Sequence, residues 1–303
     1  MRTLTGDGIL ATMIGLELRD GSAVAVKVDD AGRVEARAEA TSSADIGTAA
    51  LEALAGLETD ATAGVAAIAP DAPATVAAID ALSGRDKTLK KEDLLPSGTA
   101  AAMAESWIGA AKNGREVVLF SVADHTIAGI VRDGRAVMGA HRRAPSIAWL
   151  ALNPVEREDY RKTGCLEAEV AAAGLVRRLI WRIKAGDRSR VQDMAGGDLA
   201  AITVGHVLDA ARQNDGVAFS VVRDTAKYLG MAAANLVAVT DPDTLILGGI
   251  MATAADLFLE PVRVEIGRRL PVPMMQALTI APATLGADAA AIGAARFAAS
   301  AGR

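Results

Sequence analysis

The chain has little of what several familiar kinds of site are made from. Its 303 residues include one cysteine, Cys165, which excludes an internal disulfide and any zinc site built from several thiolates. Aromatic residues make up 3%, so the core must come from alanine, valine, leucine and isoleucine. No basic run or basic helix stands out and the formal net charge is -5, which argues against a nucleic-acid partner. No apolar run is long enough to span a bilayer, so no membrane partner is expected. The start, Met1 to Gly8, lacks the apolar stretch and cleavage site of a signal peptide, which points to the cytoplasm.

What is present is ordinary for a globular protein: 51% hydrophobic and 23% charged residues, in a chain long enough for two domains. The most informative stretch is Asn235–Ile250. An apolar run, Leu236 to Val239, ends at Asp241-Pro242-Asp243, where the proline marks a turn. Leu245 to Leu247 is short and continuously apolar, as in a strand buried on both faces. Gly248-Gly249 follows. A glycine pair there either lets a ligand approach the backbone or simply makes a tight turn.

The rest of the chain alternates between strand and helix patterns. Ile9 to Leu18, Ser22 to Val28 and Arg33 to Glu39 form a three-stranded meander, with Asp20-Gly21 as its hairpin signal. Helical spacing over Ile46–Leu57, a strand at Val65–Ala69 and a helix over Ala74–Leu82 follow. A polar loop then leads to a helix over Ala100–Ala111, for which Thr99 is a natural N-cap. Val117–Ser121, Ile127–Val131 and Arg135–Gly139 make a second meander, so one plan occurs twice. Helices are expected over Leu166–Ala185, Thr203–Asn214, from Val217 to near Asn235, and over Thr253–Leu270 and Leu285–Ala299.

Four segments fall in a recognisable order: Gly134-Arg135 to Gly139-Ala140-His141, Gly164-Cys165-Leu166-Glu167, Leu245 to Gly249, and Leu285 to Ala295. In these the chain resembles the ROK family of repressors, open reading frames and sugar kinases. The resemblance implies an α/β protein with the duplicated, two-lobed actin-like ATPase (ribonuclease H-like) fold. It divides the chain into a first lobe, 1–112 with the returning helix 286–303, and a second lobe, 113–285.

The departures from the family bear on chemistry. The family's Asn-Asp-Ala-Asn, whose aspartate is the general base, is matched by Pro96-Ser97-Gly98-Thr99, and an unactivated serine is a poor base. The first phosphate loop, Asp-x-Gly-Gly-Thr, is matched by Glu17 and Arg19-Asp20-Gly21; the second by Ala123 to Gly129, which keeps only its last glycine. Asp124-His125 there is either a new acid/base pair or a polar hairpin turn. The sugar-binding Glu becomes Ser146 and the His becomes Trp149, which packs in a core or an interface. Glu158 and Tyr160 replace zinc-binding cysteines, so no metal is expected and Cys165 should be buried.

These residues set the expectations. The catalytic set is empty, with Ser97 at the aspartate position. Gly248, Gly249, Asp20 and Gly21 are the nucleotide-binding candidates; Ser97, Thr99 and Ser146 are the substrate-binding ones. The expected function is a pseudokinase on the sugar-kinase scaffold, a homodimer taking a sugar or sugar phosphate, with no firm cofactor. The alternative is an ATP- and magnesium-dependent sugar kinase of glucokinase or N-acetylhexosamine kinase type, with Asp93 as a displaced base. A repressor needs an additional DNA-binding segment, and the short stretch before the first strand is not expected to supply one.

Overall fold

The computed structural model describes residues 12–43, 45–57, 63–85 and 94–301. These fall into two compact units, the first within Met1–Ile108 and Ala287–Arg303, the second within Gly109–Gly286. The start of the first expected strand, at Ile9, and the alternative base Asp93 lie outside the described residues.

In the first unit, β1 (Met13–Arg19), β2 (Ser22–Val28) and β3 (Val34–Thr41) form the expected antiparallel meander. β4 (Ala63–Ala67) and β5 (Leu95–Pro96) extend it in parallel, giving the order β3-β2-β1-β4-β5. Alternation along β1 sorts its two faces. Ile14, Leu16 and Leu18 pack with Ala49, Ala53, Ile79 and Leu82 of α1 (Ile46–Ala55) and α2 (Pro73–Arg85). On the other face lies α13 (Ala289–Ala301), which also packs on α3 (Ser97–Trp107). The approach is close enough to require glycine: a Cβ on Gly293 would lie 1.7 Å from the carbonyl oxygen of Ala100.

The second unit repeats the plan. β6 (Glu116–Val122), β7 (Thr126–Arg132) and β8 (Arg135–Ala136) are antiparallel, and β9 (Thr244–Gly249) and β10 (Thr279–Pro282) add in parallel. The order β10-β9-β6-β7-β8 is the first sheet's order over again. Between β8 and β9 run α4 (Glu158–Thr163), α5 (Cys165–Val170), α6 (Ala172–Lys184), α7 (Val191–Met194), α8 (Val204–Arg212) and α9 (Gly216–Thr240). After β9 come α10 (Ile250–Thr253), α11 (Ala255–Gly267) and α12 (Val272–Ala277). Phe120, Leu166, Leu175, Leu229, Leu247 and Phe258 are fully buried in its core.

Several expected boundaries are corrected. Ser97 opens α3, with Pro96 as its N-cap, so Thr99 is in the first turn and caps nothing. That helix also ends at Trp107, leaving Ala110 and Ala111 beyond it. Leu166–Ala185 is two helices, broken where Ala171 is extended (ψ 162°). The break brings Gly174 against the carbonyl of Ala168 and lets Ala172 N donate to Ala123 O. Helix α9 continues through Leu236–Val239 to Thr240, because Val237 faces the core, and ends at Asp241 in the left-handed conformation (φ 47°).

Asp243 joins the strands at this end of the sheet. Its Oδ2 accepts from the N–H groups of Arg115 (2.8 Å) and Glu116 (3.0 Å), and its Oδ1 accepts from the Thr244 hydroxyl (2.8 Å). Burial raises its carboxyl pKa, but these donors outweigh burial and hold it below the ordinary value. A depressed carboxyl contributes stability that is present above its unfolded pKa and lost as pH falls through its folded pKa. Asp243→Ala is therefore expected to cost about 1–3 kcal/mol near neutral pH, because two backbone donors lose their acceptor. The deficit should shrink as the pH is lowered through the carboxylate range. Denaturant melts of both proteins across pH check this; a deficit that grows on acidification would contradict it.

Candidate functional site

In the first unit, the β1–β2 hairpin holds Asp20 and Gly21, which line a cavity of about 290 Å³ together with Ser42, Asp45, Ile68 and Thr75. Arg19 lines it too, and its guanidinium is already paired. Its guanidinium pairs with the buried Glu17 at 2.6 Å and donates to the Ala287 carbonyl. The Glu17 carboxylate and the Arg19 guanidinium thus compensate each other's charge.

Ser97 and Thr99 sit together in the first turn of α3. They are 1% and 0% exposed, and neither hydroxyl has a hydrogen-bond partner. The turn contains no acidic residue. Nothing in it can accept a proton from a substrate hydroxyl at neutral pH.

In the second unit, the tip of the β6–β7 hairpin stands where the family's second phosphate loop would be. Two of its backbone donors are already used. Ala123 N donates to His125 O (2.9 Å), and Thr126 N donates to Glu167 Oε2 (2.8 Å). His125 Nδ1 lies 3.4 Å from Glu167 Oε1, so its carboxylate partner comes from α5. Asp124 is exposed. Two carboxylates beside the tip would repel a chain of phosphates. The Glu167 contact was not visible in the sequence because 41 residues separate it from Thr126.

Gly248 and Gly249 end β9, and packing accounts for them without a ligand. A Cβ on Gly248 would lie 2.8 Å from the Ser121 side chain; one on Gly249 (φ 62°) would lie 1.9 Å from Val122 O. Ser146 is exposed, and its hydroxyl donates to the carbonyl of Arg143.

The segment matched to the family's zinc module is filled by other chemistry. Tyr160 is buried, and its hydroxyl donates to the carboxylate of Glu169. Glu169, 4% exposed, also receives Arg157 at 3.2 Å and lies 3.8 Å from Arg178. Arg157 stacks over the rings of Tyr160 and Trp181, and Arg177 over Trp181. Burial and then the Glu169 hydrogen bond push the Tyr160 phenol up to about 12, so it remains a donor at neutral pH. Burial lowers the pKa of Arg178, whose Nη2 donates to Thr225 Oγ1. Glu158 is at the surface with Lys162, and Cys165 is buried as expected. Among the described residues, no group of three or more His, Cys, Asp or Glu side chains is placed to hold a metal ion. These residues do not fit a tetrahedral zinc site. Among the described residues no helix is long and apolar enough to cross a membrane.

The sequence profile of the ROK family matches residues 97–301. The chain belongs to the ROK family. Its relatives include the glucokinase of Halalkalibacterium halodurans, 30% identical over 69% of this chain and 65% of that protein. They also include the DNA-binding transcriptional dual regulator NagC of Escherichia coli, 29% identical over 53% of this chain and 38% of that protein. The matched stretches thus span less than two thirds of these relatives' own length. Among solved structures, the ROK family glucokinase from Streptomyces griseus, in complex with glucose and AMPPNP, superposes with a TM-score of 0.79. That match is 23% identical and covers 95% of this chain and 99% of the other, which establishes the fold. This ROK protein therefore belongs to a family that includes both a glucokinase and a DNA-binding transcriptional regulator.

Proposed function

We propose that this ROK protein is a pseudokinase that works in the cytoplasm, using the sugar-kinase scaffold to bind a ligand or a partner without catalysing phosphoryl transfer. The observation that carries this reading is the start of α3, where Ser97 occupies the first turn and no acidic residue is present. Phosphoryl transfer needs an oriented nucleophile and a phosphate cradle as well as charge stabilisation. Glu17 is held by Arg19, and the β6–β7 tip spends two of its donors on His125 O and Glu167 and presents Asp124, which argues against both phosphate loops as well as the base. Nucleotide binding by way of Asp20, Gly21, Gly248 and Gly249 should be weak. Calorimetry with ATP and magnesium is expected to give little heat, and a dissociation constant below about 10 μM would contradict this.

The alternative, an ATP-dependent sugar kinase with its base supplied by Asp93, draws support from the similarity to the H. halodurans glucokinase. Turnover separates the two readings, as set out in the Discussion.

Self-association belongs to the same proposal. Trp149 and Trp181 of the second unit are 57% and 49% exposed, which leaves an interface as the remaining role for Trp149. Light scattering at micromolar concentration should report a homodimer; a monomer at every concentration would refute it.

A further inference from the structure

We infer that the cavity beside the β1–β2 hairpin, on the α1/α2 face of the first unit, is a site for a small amino alcohol. The ammonium sits at its rim, a short hydrocarbon body along its walls and the hydroxyl at its floor. The site uses no residue of α3, and it stands whether or not the chain phosphorylates a sugar.

Three connections build the cavity: the hairpin from Leu18 to Gly21, the run from Ser42 into α1, and the run from Ile68 into α2. Backbone hydrogen bonds pin them together. Ser42 N donates to Gly21 O (3.1 Å), and Ile68 N donates to Leu18 O (3.2 Å). Walls fixed in this way suit a pocket formed before its ligand arrives. The volume of about 290 Å³ is near the lower end for ligand pockets, about 300–1,000 Å³, and calls for a small molecule.

The floor carries an unmet polar group. Thr75 is 4% exposed and lines the cavity, and among the described residues its hydroxyl has no hydrogen-bond partner. The unpartnered hydroxyls of Ser97, Thr99 and Thr126 are sealed in protein; that of Thr75 opens onto the cavity. Buried hydroxyls are ordinarily hydrogen-bonded, so a partner is owed from the cavity side. A ligand hydroxyl can serve, since it both donates and accepts. Leu18, 1% exposed, and the half-buried Ile46 and Ile68 offer apolar surface to a hydrocarbon body.

Charge decides what sits at the rim. Asp20 and Asp45 both line the cavity and are exposed. Asp45 caps α1: its Oδ1 accepts from Thr48 N (2.7 Å) and its Oδ2 from the Thr48 hydroxyl (2.8 Å). These donors hold its carboxyl below the ordinary value, so it is charged at neutral pH. Each carboxylate oxygen has a second lone pair, which leaves room for a further donor. The opposing potential comes from the starts of α1 and α2, roughly half a positive charge each. Arg19 adds no net charge, because Glu17 pairs with it at 2.6 Å. Two carboxylates therefore outweigh roughly one positive charge, and the rim favours an ammonium over a phosphate or a carboxylate.

The test is a titration of the full chain, carrying carbon-13 methyl labels on isoleucine, with four probes of one chain length: terminal aminopentanol, pentylamine, pentanediol and hydroxypentanoate. The Ile46 and Ile68 methyl signals, assigned by Ile→Val replacement, report on the cavity itself. Aminopentanol should shift both signals saturably and bind about threefold or more tighter than each of the other three. Asp20→Asn and Asp45→Asn should each weaken it about threefold or more; asparagine still caps a helix, so Asp45→Asn keeps α1. Thr75→Val should erase the advantage of aminopentanol over pentylamine and leave pentylamine binding as before, while Thr75→Ser should retain that advantage. Hydroxypentanoate binding as tightly as aminopentanol would overturn the assignment of a cation. An advantage over pentylamine that survives in Thr75→Val would overturn the floor contact. No probe shifting the Ile46 and Ile68 signals would overturn the site. Should Thr75→Val not fold, the ranking of the four probes on wild type still decides. None of these outcomes bears on sugar-dependent ADP release, so this inference and the pseudokinase reading fail separately.

Discussion

Replacing Glu169 with alanine should destabilise the protein by about 3–5 kcal/mol, the scale for removing one partner of a buried ion pair. Glu169 is 4% exposed and serves Tyr160, Arg157 and Arg178 together. Its loss strands the Arg178 guanidinium, whose side chain is 15% exposed, and the buried Tyr160 hydroxyl. In a unit of this size the melting temperature should fall on the order of 10 °C. If the Tyr160–Glu169 hydrogen bond is what braces α4 on α5, treating wild type with a chelator should leave its melting temperature unchanged. A Glu169→Ala loss under about 1 kcal/mol would show that the network contributes little. A chelator-induced drop of similar size would show that a metal does the bracing.

This network explains why part of the site was not legible in the sequence. The replacement of cysteines by Glu158 and Tyr160 was plain, and it pointed away from zinc. What took the metal's place was not. Glu169 lies nine residues from Tyr160 and twelve from Arg157, and no local pattern announces their meeting. His125 and Glu167 are likewise brought together by the hairpin packing on α5.

Strands and glycines were read more easily than helix ends. Alternation in Ser22–Val28 and the unbroken apolar run of Leu245–Leu247 translate directly into burial. Gly293 lies in a segment that the sequence marks as helical, and Ala100 O is where a side chain there would collide. At α3, capping preference favoured Thr99, but pairing of Pro96 with Ala67 fixes the chain there and the helix begins at Ser97. Near Ala171, an alanine-rich stretch promises an unbroken helix, and only the tertiary contact of Ala172 N with Ala123 O reveals the turn. At Leu236–Val239, Val239 is 84% exposed while Val237 is 2%, a helical alternation hidden in an apolar run.

The claim that the scaffold no longer catalyses phosphoryl transfer rests on several losses acting together. Restoring one should therefore not restore turnover. Ser97→Asp returns a carboxylate to the start of α3, yet leaves the Glu17–Arg19 pair and the Glu167 contact at the β6–β7 tip. Its rate should stay at background. A kinase with a displaced base behaves differently: wild type turns over, and Asp93→Asn lowers kcat by about a hundredfold or more. The decisive measurement is a coupled ADP-release screen of wild type against hexoses, N-acetylhexosamines and N-acetylmannosamine with ATP and magnesium. A pseudokinase gives no sugar-dependent ADP with any of them; sugar-dependent turnover that disappears in Asp93→Asn would contradict it.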